Sequence, residues 1–258
     1  MEEEKTPEEP RVSSIPWKIG DVAAGVGVVI GFTVIIAFGL AIGTILILGS
    51  GALLELATED IAGLYALLAS EGVLQQWLIL MLVAMVVGEG AMPLSAWLFS
   101  AFKYHCGWRA LGFRSFNVRN SLILAAVIVI VGLLIGFLWD ILLTSLGIEP
   151  PSTVPPELTQ TGLGFVIVSV LAVVVAPVAE ETFFRGFILA GIGKRFGNGW
   201  GIVLSALLFS VAHLQIGSLL PIFILGLLLA WLYVKTGSIW PCIFTHLAYN
   251  SIAMLFMV

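Results

Sequence analysis

The sequence has little charge and few residues of the kinds that usually bind metals or form crosslinks. Only 10% of its 258 residues are charged, and it contains two cysteines and three histidines. Cys106 and Cys242 lie far apart and form no Cys-x-x-Cys pair. This spacing excludes a zinc ribbon and gives no basis for a disulfide. The first residues are acidic rather than basic and apolar, so we expect no cleavable signal peptide.

Apolar residues dominate what remains. The chain is 60% hydrophobic, and its mean hydropathy is +1.11. A water-soluble fold cannot bury that much apolar surface, so the composition predicts a multi-pass integral membrane protein. The net charge of −5 says little about partners, because the acids cluster in tails and loops. We expect the lipid bilayer as a partner and no nucleic acid.

Seven apolar segments can be separated along the chain by loops and turns. They are 22–48, 76–102, 121–143, 162–190, 201–214, 219–234 and 238–258. An all-α transmembrane bundle of seven spans is therefore predicted. The acidic, amphipathic stretch 51–75 would make an eighth if it also crossed, although we interpret it as an extramembrane helix or loop.

Three regions follow from the same pattern. Residues 1–20 form an acidic arm that contains prolines and is expected to be disordered. Residues 21–160 hold the first three spans, the polar loop 103–120, and the proline-rich stretch 144–161, which we interpret as a loop. Residues 161–258 hold the remaining spans and the polar groups discussed below.

Basic residues predict the orientation of the spans. Ten of the 11 lysines and arginines fall before span one or after spans two, four and six, and only Arg185 lies within a span. The loops after spans one, three and five carry none. This asymmetry predicts a cytoplasmic N-terminus, and we expect a prokaryotic plasma membrane.

The fourth segment contains an unusual polar cluster in apolar surroundings. Glu181 and Arg185 stand at i and i+4, the favourable order for an ion pair on a helix. Glu180 points about 100° away from that pair, so its carboxylate is free for another task. Pro177 removes a backbone donor and should loosen the helix just before the glutamates.

Two of the three histidines lie in apolar segments. His213 follows Phe209 at i+4, and His246 precedes Asn250 at i+4. Depths are counted along each helix from its predicted cytoplasmic end. Glu180 is then about 15 Å deep, and His213, His246 and Asn250 are about 12–20 Å deep, so all four could share one layer. Taken singly, each of these histidines is more often an interhelical hydrogen-bond partner than a catalyst. His105 lies in the basic loop and is expected at the surface.

The ordered set Glu-Glu-x-x-x-Arg, Phe-x-x-x-His and His-x-x-x-Asn on three helices resembles the CPBP family. This family comprises CAAX proteases and bacteriocin-processing enzymes, and is also called the Abi family. The resemblance runs from Leu163 to the C-terminus and includes Arg185-Gly186-Phe187 and Thr236-Gly237-Ser238-Ile239-Trp240. The segment 107–113 is also similar to the family.

The resemblance implies an all-helical intramembrane endopeptidase whose site opens to the cytoplasm and whose catalytic core is 161–258. Glu180 and His213 would activate a water molecule, and His246 and Asn250 would stabilise the oxyanion. Glu181 and Arg185 would hold the helix and orient Glu180. The expected substrate is a membrane-anchored or lipidated protein or peptide, of which a prenylated CAAX-like end is one form.

Three alternatives stay open. Glu180, His213 and His246 could bind zinc with an open coordination position, although we favour a metal-free glutamate mechanism without a cofactor. A bacteriocin-immunity or scaffold protein of the same family would keep the fold without cleaving anything. A proton-coupled transporter would use Glu89, Glu180 and the histidines as a relay, but we find no internal repeat of the kind common in transporters.

Overall fold

The computed structural model describes residues 15–57, 71–150 and 162–255, and in these ranges its regular structure is helical. Its seven helices are α1 Ile19–Ala57, α2 Glu71–Trp97, α3 Val118–Ser145, α4 162–196, α5 Asn198–Ala212, α6 Leu219–Thr236 and α7 Trp240–Leu255. The predicted all-α bundle is thereby confirmed.

Five stretches of helix in the described ranges are long and apolar enough to cross a membrane. They lie in α1, α2, α3, α4 and α6, the second and the last of these together with an adjoining helical turn, at Ile19–Gly49, Gln75–Phe102, Val118–Ser145, Gly164–Phe196 and Ile216–Thr236. Helices α5 and α7 are shorter, with 15 and 16 residues. The chain is an integral membrane protein.

Several predicted boundaries change. Helix α1 continues past Gly49, where a φ of 61° marks a kink, to Ala57. Segments 1–14, 58–70 and 151–161 lie outside the described residues, as do 256–258. Residues 1–14 of the predicted disordered arm, most of the acidic stretch 51–75 and most of the proline-rich loop therefore stay predictions, as does an eighth span. Residues 15–20 of that arm are ordered, and Trp17 among them is completely buried.

Helix α4 is irregular in the way that Pro177 predicts. A π-helical turn, Leu171–Val175, directly precedes the short α-helical stretch Ala176–Glu181, in whose first turn Pro177 lies. A second π-helical stretch, Thr182–Leu189, follows the glutamates. Such π segments often occur at functional sites.

The helix extends beyond the fourth apolar segment, whose predicted end is Ala190. The helix does not stop at Ala190 but continues to Phe196, and Gly197 ends it with a φ of 89°. Glu180 is 196 − 180 = 16 residues from that end. At about 1.5 Å per residue, Glu180 lies about 24 Å from the end of α4 rather than about 15 Å.

The segment before α1 is fastened to α4. Trp17 is completely buried, and its indole N–H donates a hydrogen bond to the Phe187 carbonyl at 3.2 Å. The Lys194 ammonium donates to the Ile15 carbonyl at 2.6 Å, and Asp21 pairs with Lys103 at the end of α2. These contacts join the start of α1 and the ends of α2 and α4 at one face of the bundle, which we call the basic face.

The loop between α2 and α3 is more ordered than the polar surface loop predicted for 103–120. It contains a 3₁₀ turn, Trp108–Leu111, in which Leu111 is completely buried. The Ile239 N–H donates to the Gly112 carbonyl at 2.8 Å, and Gly112 has a φ of 96° that favours glycine. The loop therefore packs into the bundle where α6 meets α7.

Because Gly186 has no side chain, the loop can pack closely against α4 at this position. A Cβ added at Gly186 would lie 2.6 Å from the Leu111 carbonyl oxygen. Since backbone cannot move aside cheaply, Gly186→Ala should lower the free energy of unfolding by about 1–3 kcal/mol. The measurement is equilibrium unfolding of the purified protein in mixed micelles.

Gly31→Ala is the matched control, because a Cβ at Gly31 would meet nothing within 4 Å. There the substitution should be neutral or stabilising by about 0.4–1 kcal/mol, since alanine restricts the unfolded chain. Equal effects at the two positions would show that the Leu111–Gly186 approach is not a tight contact.

Candidate active site

Helices α4, α5 and α7 bring one carboxylate and two imidazoles together. Glu180 is buried, and its two carboxylate oxygens face different histidines. Its Oε1 lies 3.9 Å from Nε2 of His213, and its Oε2 lies 3.7 Å from Nε2 of His246. Residues distant in sequence, one from each helix, thus converge on Glu180.

The neighbouring carboxylate, Glu181, is held by two partners. Its Oε1 lies 3.1 Å from Nη1 of Arg185 and 2.9 Å from Nδ1 of His246. The side chains of Glu181 and Arg185 are both completely buried. The predicted ion pair is therefore present, and it also reaches across to α7 through His246.

Arg185 is enclosed on its other sides by α5 and α6. Its Nη2 donates to the Gly226 carbonyl at 3.2 Å, and its guanidinium lies over the Phe209 ring at 4.3 Å. A Cβ at Gly226 would lie 3.2 Å from both Ala206 and Phe209. Glycine at that position thus allows the close packing of α5 and α6 beside the guanidinium.

The contacts at Nδ1 show that this nitrogen carries a proton in both histidines. Nδ1 of His213 lies 2.8 Å from the Phe209 carbonyl, which can only accept a hydrogen bond. Nδ1 of His246 faces the Glu181 carboxylate, which likewise accepts. Both Nδ1 atoms therefore donate, and each ring turns its Nε2 towards Glu180.

The separations at Nε2 are longer than direct hydrogen bonds. At 3.9 and 3.7 Å, they fit polar groups that are bridged by water. A carboxylate and two Nε2 lone pairs are all acceptors, and a water molecule supplies the protons that they lack. The arrangement can thus bind water and accept a proton from it.

His213 is the most accessible of these groups. Its side chain is 29% exposed, against 10% for Glu180 and 4% for His246. It ends α5 and is followed by Leu214, which has a left-handed φ of 55°. A 3₁₀ turn, Ile216–Ser218, then leads into α6. Access to Glu180 therefore runs past His213.

Asn250 lies one turn beyond His246, but its amide already has a partner. Its Nδ2 donates to the Ala172 carbonyl on α4 at 2.8 Å. One of its two N–H groups is thus used, whereas the sequence predicted that Asn250 and His246 would serve one oxyanion together. This bond leaves the second N–H of the Asn250 amide for another acceptor, and the role of Asn250 at the oxyanion stays a prediction.

Two residues near the site have roles that the sequence did not show. The Phe209 ring lies edge-on to His213 at 4.8 Å and to His246 at 5.8 Å between centroids. The Phe-x-x-x-His motif could have indicated this packing. Glu89 on α2 has a carboxylate oxygen, Oε2, that is buried without a hydrogen bond. His105 is exposed, as predicted.

Glu180, His213 and His246 are the residues that the sequence offers as ligands of a zinc ion. Among residues 15–57, 71–150 and 162–255, no group of three or more His, Cys, Asp or Glu side chains is placed to hold a metal ion. Each of the two histidines donates Nδ1–H to an oxygen and turns Nε2 towards Glu180, which is also how zinc-bound histidines are held. The metal-free mechanism therefore stays a proposal.

Comparison with known proteins agrees with the motif resemblance. Residues 162–252 match the family model described as Rce1-like, type II CAAX prenyl endopeptidase Rce1-like. The resemblance to the CAAX protease family is thereby confirmed for this part of the chain. No solved structure matches the chain significantly.

Two curated bacterial proteins also match part of the chain. The "Putative membrane peptidase YdiL" of Bacillus subtilis (strain 168) is 28% identical over 86 residues, which are 33% of this chain and 35% of the relative. An "Uncharacterized 24.3 kDa protein" of Escherichia coli is 31% identical over 97 residues, 35% of this chain and 45% of the relative. The chain thus spans less than half the length of either relative.

The buried ion pair generates a prediction about stability. Arg185→Ala would leave the Glu181 carboxylate buried without its cation, which typically costs about 3–5 kcal/mol. We expect a lower yield and a lower melting temperature, measured by thermal unfolding in detergent. The control is Arg195→Ala on the same helix, since Arg195 is exposed and its loss should change stability by less than about 0.5 kcal/mol.

An Arg185→Ala protein with unchanged melting temperature would contradict the structural role of the pair. It would instead indicate that Arg185 binds substrate.

Proposed function

Starting from the family match over residues 162–252, we propose that the protein is an intramembrane endopeptidase. It hydrolyses a peptide bond near the membrane-anchored end of a protein or peptide. The observation that carries the proposal is the buried Glu180 carboxylate, which faces Nε2 of both His213 and His246. This is a place where water can bind and be activated.

In the first step, water between Glu180 and His213 loses a proton to the Glu180 carboxylate. The resulting hydroxide oxygen bonds to the scissile carbonyl carbon, and the carbonyl π electrons move onto oxygen. General-base catalysis of this kind typically contributes about 10²–10⁴-fold to the rate. Water itself is the nucleophile, and no serine or cysteine side chain attacks the peptide.

The oxyanion requires a donor, and His246 is suited to supply it. With neutral histidines, Glu180, Glu181 and Arg185 carry −1, −1 and +1, so the cluster has a net charge of −1. A proton taken up from solvent at Nε2 of His246 balances that charge, while its Nδ1–H stays bonded to Glu181. The imidazolium then donates its Nε2–H to the oxyanion.

In the last step, the carbonyl reforms and the carbon–nitrogen bond breaks. The leaving amine nitrogen takes a proton from Nε2 of His213, which has received it from Glu180 through the water site. The products are a carboxylic acid and an amine, and Glu180 returns to its carboxylate form. One water molecule is consumed, so atoms and charge balance.

The substrate class follows from the position of the site in the bundle. Residues 179–193 of α4 are all buried, so a chain cannot approach along that helix from the basic face. The exposure of His213 favours access from the side, where the anchor of a lipidated or apolar-anchored chain lies in lipid. We propose such an anchored chain as the substrate.

The orientation is proposed from the basic residues. Lys18, Lys103 and Lys194 lie at the basic face, which the positive-inside rule assigns to the cytoplasm. By the helix-rise count from Phe196, Glu180 then lies about 24 Å from the cytoplasmic end of α4, so the proposed route from the side leads to a site deep in the bundle.

Removing the proposed base should abolish proteolysis without unfolding the protein. Glu180→Gln keeps the size of the side chain and should lower kcat by about 10²–10⁴-fold. The measurement is mass spectrometry of a membrane-anchored peptide library incubated with the protein in proteoliposomes. Each peptide is paired with an unanchored copy, which should be cut far less, since each buried methylene of the anchor adds about 0.8 kcal/mol to membrane binding.

The charge-matched control is Glu149→Gln, which removes an exposed carboxylate beyond the end of α3. It should cleave like the unmodified protein. If Glu180→Gln cleaved at the normal rate, Glu180 would not be the base. Equal cleavage of anchored and unanchored peptides would contradict the substrate class.

A chelator distinguishes the metal-free mechanism from a zinc mechanism. Prolonged treatment with 1,10-phenanthroline should leave cleavage in the same proteoliposome assay unchanged, because the proposed steps use only protein groups and water. Loss of cleavage that zinc restores, together with zinc bound to the unmodified protein but not to His213→Ala, would contradict this mechanism.

A further inference from the structure

The backbone of α4 leaves one carbonyl without its usual donor just above the glutamates. In the π-helical turn Leu171–Val175, the Ala176 N–H donates to the Leu171 carbonyl. In the same i to i−5 pattern, the Ala172 carbonyl would accept a hydrogen bond from the backbone N–H of residue 177. That residue is Pro177, which has no N–H.

Such a carbonyl is costly inside a membrane protein. Ala172 is half-buried in an apolar helix, and a backbone carbonyl that faces apolar surroundings without a hydrogen bond is destabilising. Neighbouring helices commonly supply the missing partner where a proline interrupts a transmembrane helix. Here the partner comes from α7, because Nδ2 of Asn250 donates to the Ala172 carbonyl at 2.8 Å.

This bond is one of two that tie α4 to α7 around the reactive groups. The other joins Glu181 to Nδ1 of His246 at 2.9 Å. Asn250 is one turn after His246, and Ala172 is two turns before Glu180. The two bonds therefore flank the approach of Glu180 to His246, whose closest atoms are 3.7 Å apart.

We propose that Asn250 is a positioning residue, whose amide satisfies the carbonyl freed by Pro177 and so sets the distance between Glu180 and His246. Its contribution to the reaction passes through these two side chains and not through contact with the oxyanion. The inference extends the proposed function, but the hydrogen bond that it invokes exists whether or not the protein cleaves peptides.

The test is a double substitution. Pro177→Ala returns an N–H to α4, which can bond to the Ala172 carbonyl and make Asn250 dispensable. The proteins compared are the unmodified chain, Asn250→Ala, Pro177→Ala and the double variant. Ser251→Ala is the matched control, because the Ser251 hydroxyl donates only to the Leu247 carbonyl of its own helix.

The first readout does not depend on activity. With only three histidines in the chain, ring signals of ¹⁵N-histidine-labelled protein in nanodiscs can be assigned with His105→Gln and His213→Gln variants. We expect Asn250→Ala to shift the Nδ1–H signal of His246 and the double variant to return it towards the Pro177→Ala position. Ser251→Ala should leave it in place.

The second readout is cleavage of an anchored peptide in proteoliposomes. We expect kcat to fall in Asn250→Ala, and the double variant to cleave within about twofold of Pro177→Ala. An oxyanion donor would instead cost about 10²–10³-fold in both backgrounds. That result, or a His246 signal unmoved by Asn250→Ala, would overturn the proposal.

Two further outcomes have a defined meaning. If Asn250→Ala does not fold, the proposal expects Pro177→Ala to restore folding in the double variant, and failure to do so contradicts it. If no peptide is cleaved by any variant, the proposed function fails while the His246 signals still test the role of Asn250.

Discussion

The structure depends on the way in which the Glu181 carboxylate is held. It lies completely buried between the Arg185 guanidinium and Nδ1 of His246, and a buried charge is tolerated only when paired and hydrogen-bonded. Arg185 in turn needs the Phe209 ring of α5 and the Gly226 carbonyl of α6. One carboxylate thus fixes four helices relative to one another, which accounts for the close packing of α5 against α6.

That interaction determines what Glu180 can do. Because Nδ1–H of His246 donates to Glu181 and Nδ1–H of His213 donates to the Phe209 carbonyl, both Nε2 atoms are turned towards Glu180. Among the described residues, Glu180 has no lysine or arginine at ion-pair distance, and its neighbours there are the two histidine rings. The two adjacent glutamates therefore have different roles because their surroundings differ. The charge of Glu181 is neutralised by Arg185 and holds the helices together, whereas the Glu180 carboxylate is available to water.

Much of this could be predicted from the sequence, for reasons that are local. The i, i+4 spacing of Glu181 and Arg185 predicts their pairing, and Pro177 predicts an irregular helix before them. The apolar run ends at Ala190 whereas α4 continues to Phe196, because the charged Lys194 and Arg195 end the run without ending the helical hydrogen bonding. The bond from Asn250 to Ala172 could not be predicted, since it depends on which carbonyl a π-helical turn frees and on how α7 lies against it.

The central claim is that both buried histidines carry their proton on Nδ1 and present Nε2 to Glu180. The most direct measurement is the ¹⁵N spectrum of histidine-labelled protein in nanodiscs at neutral pH, in which protonated and unprotonated ring nitrogens are resolved. The account predicts that His213 and His246 each show Nδ1 protonated, and that in neutral rings Nε2 is the unprotonated nitrogen. A neutral ring at either position with its proton on Nε2 and Nδ1 unprotonated would contradict it.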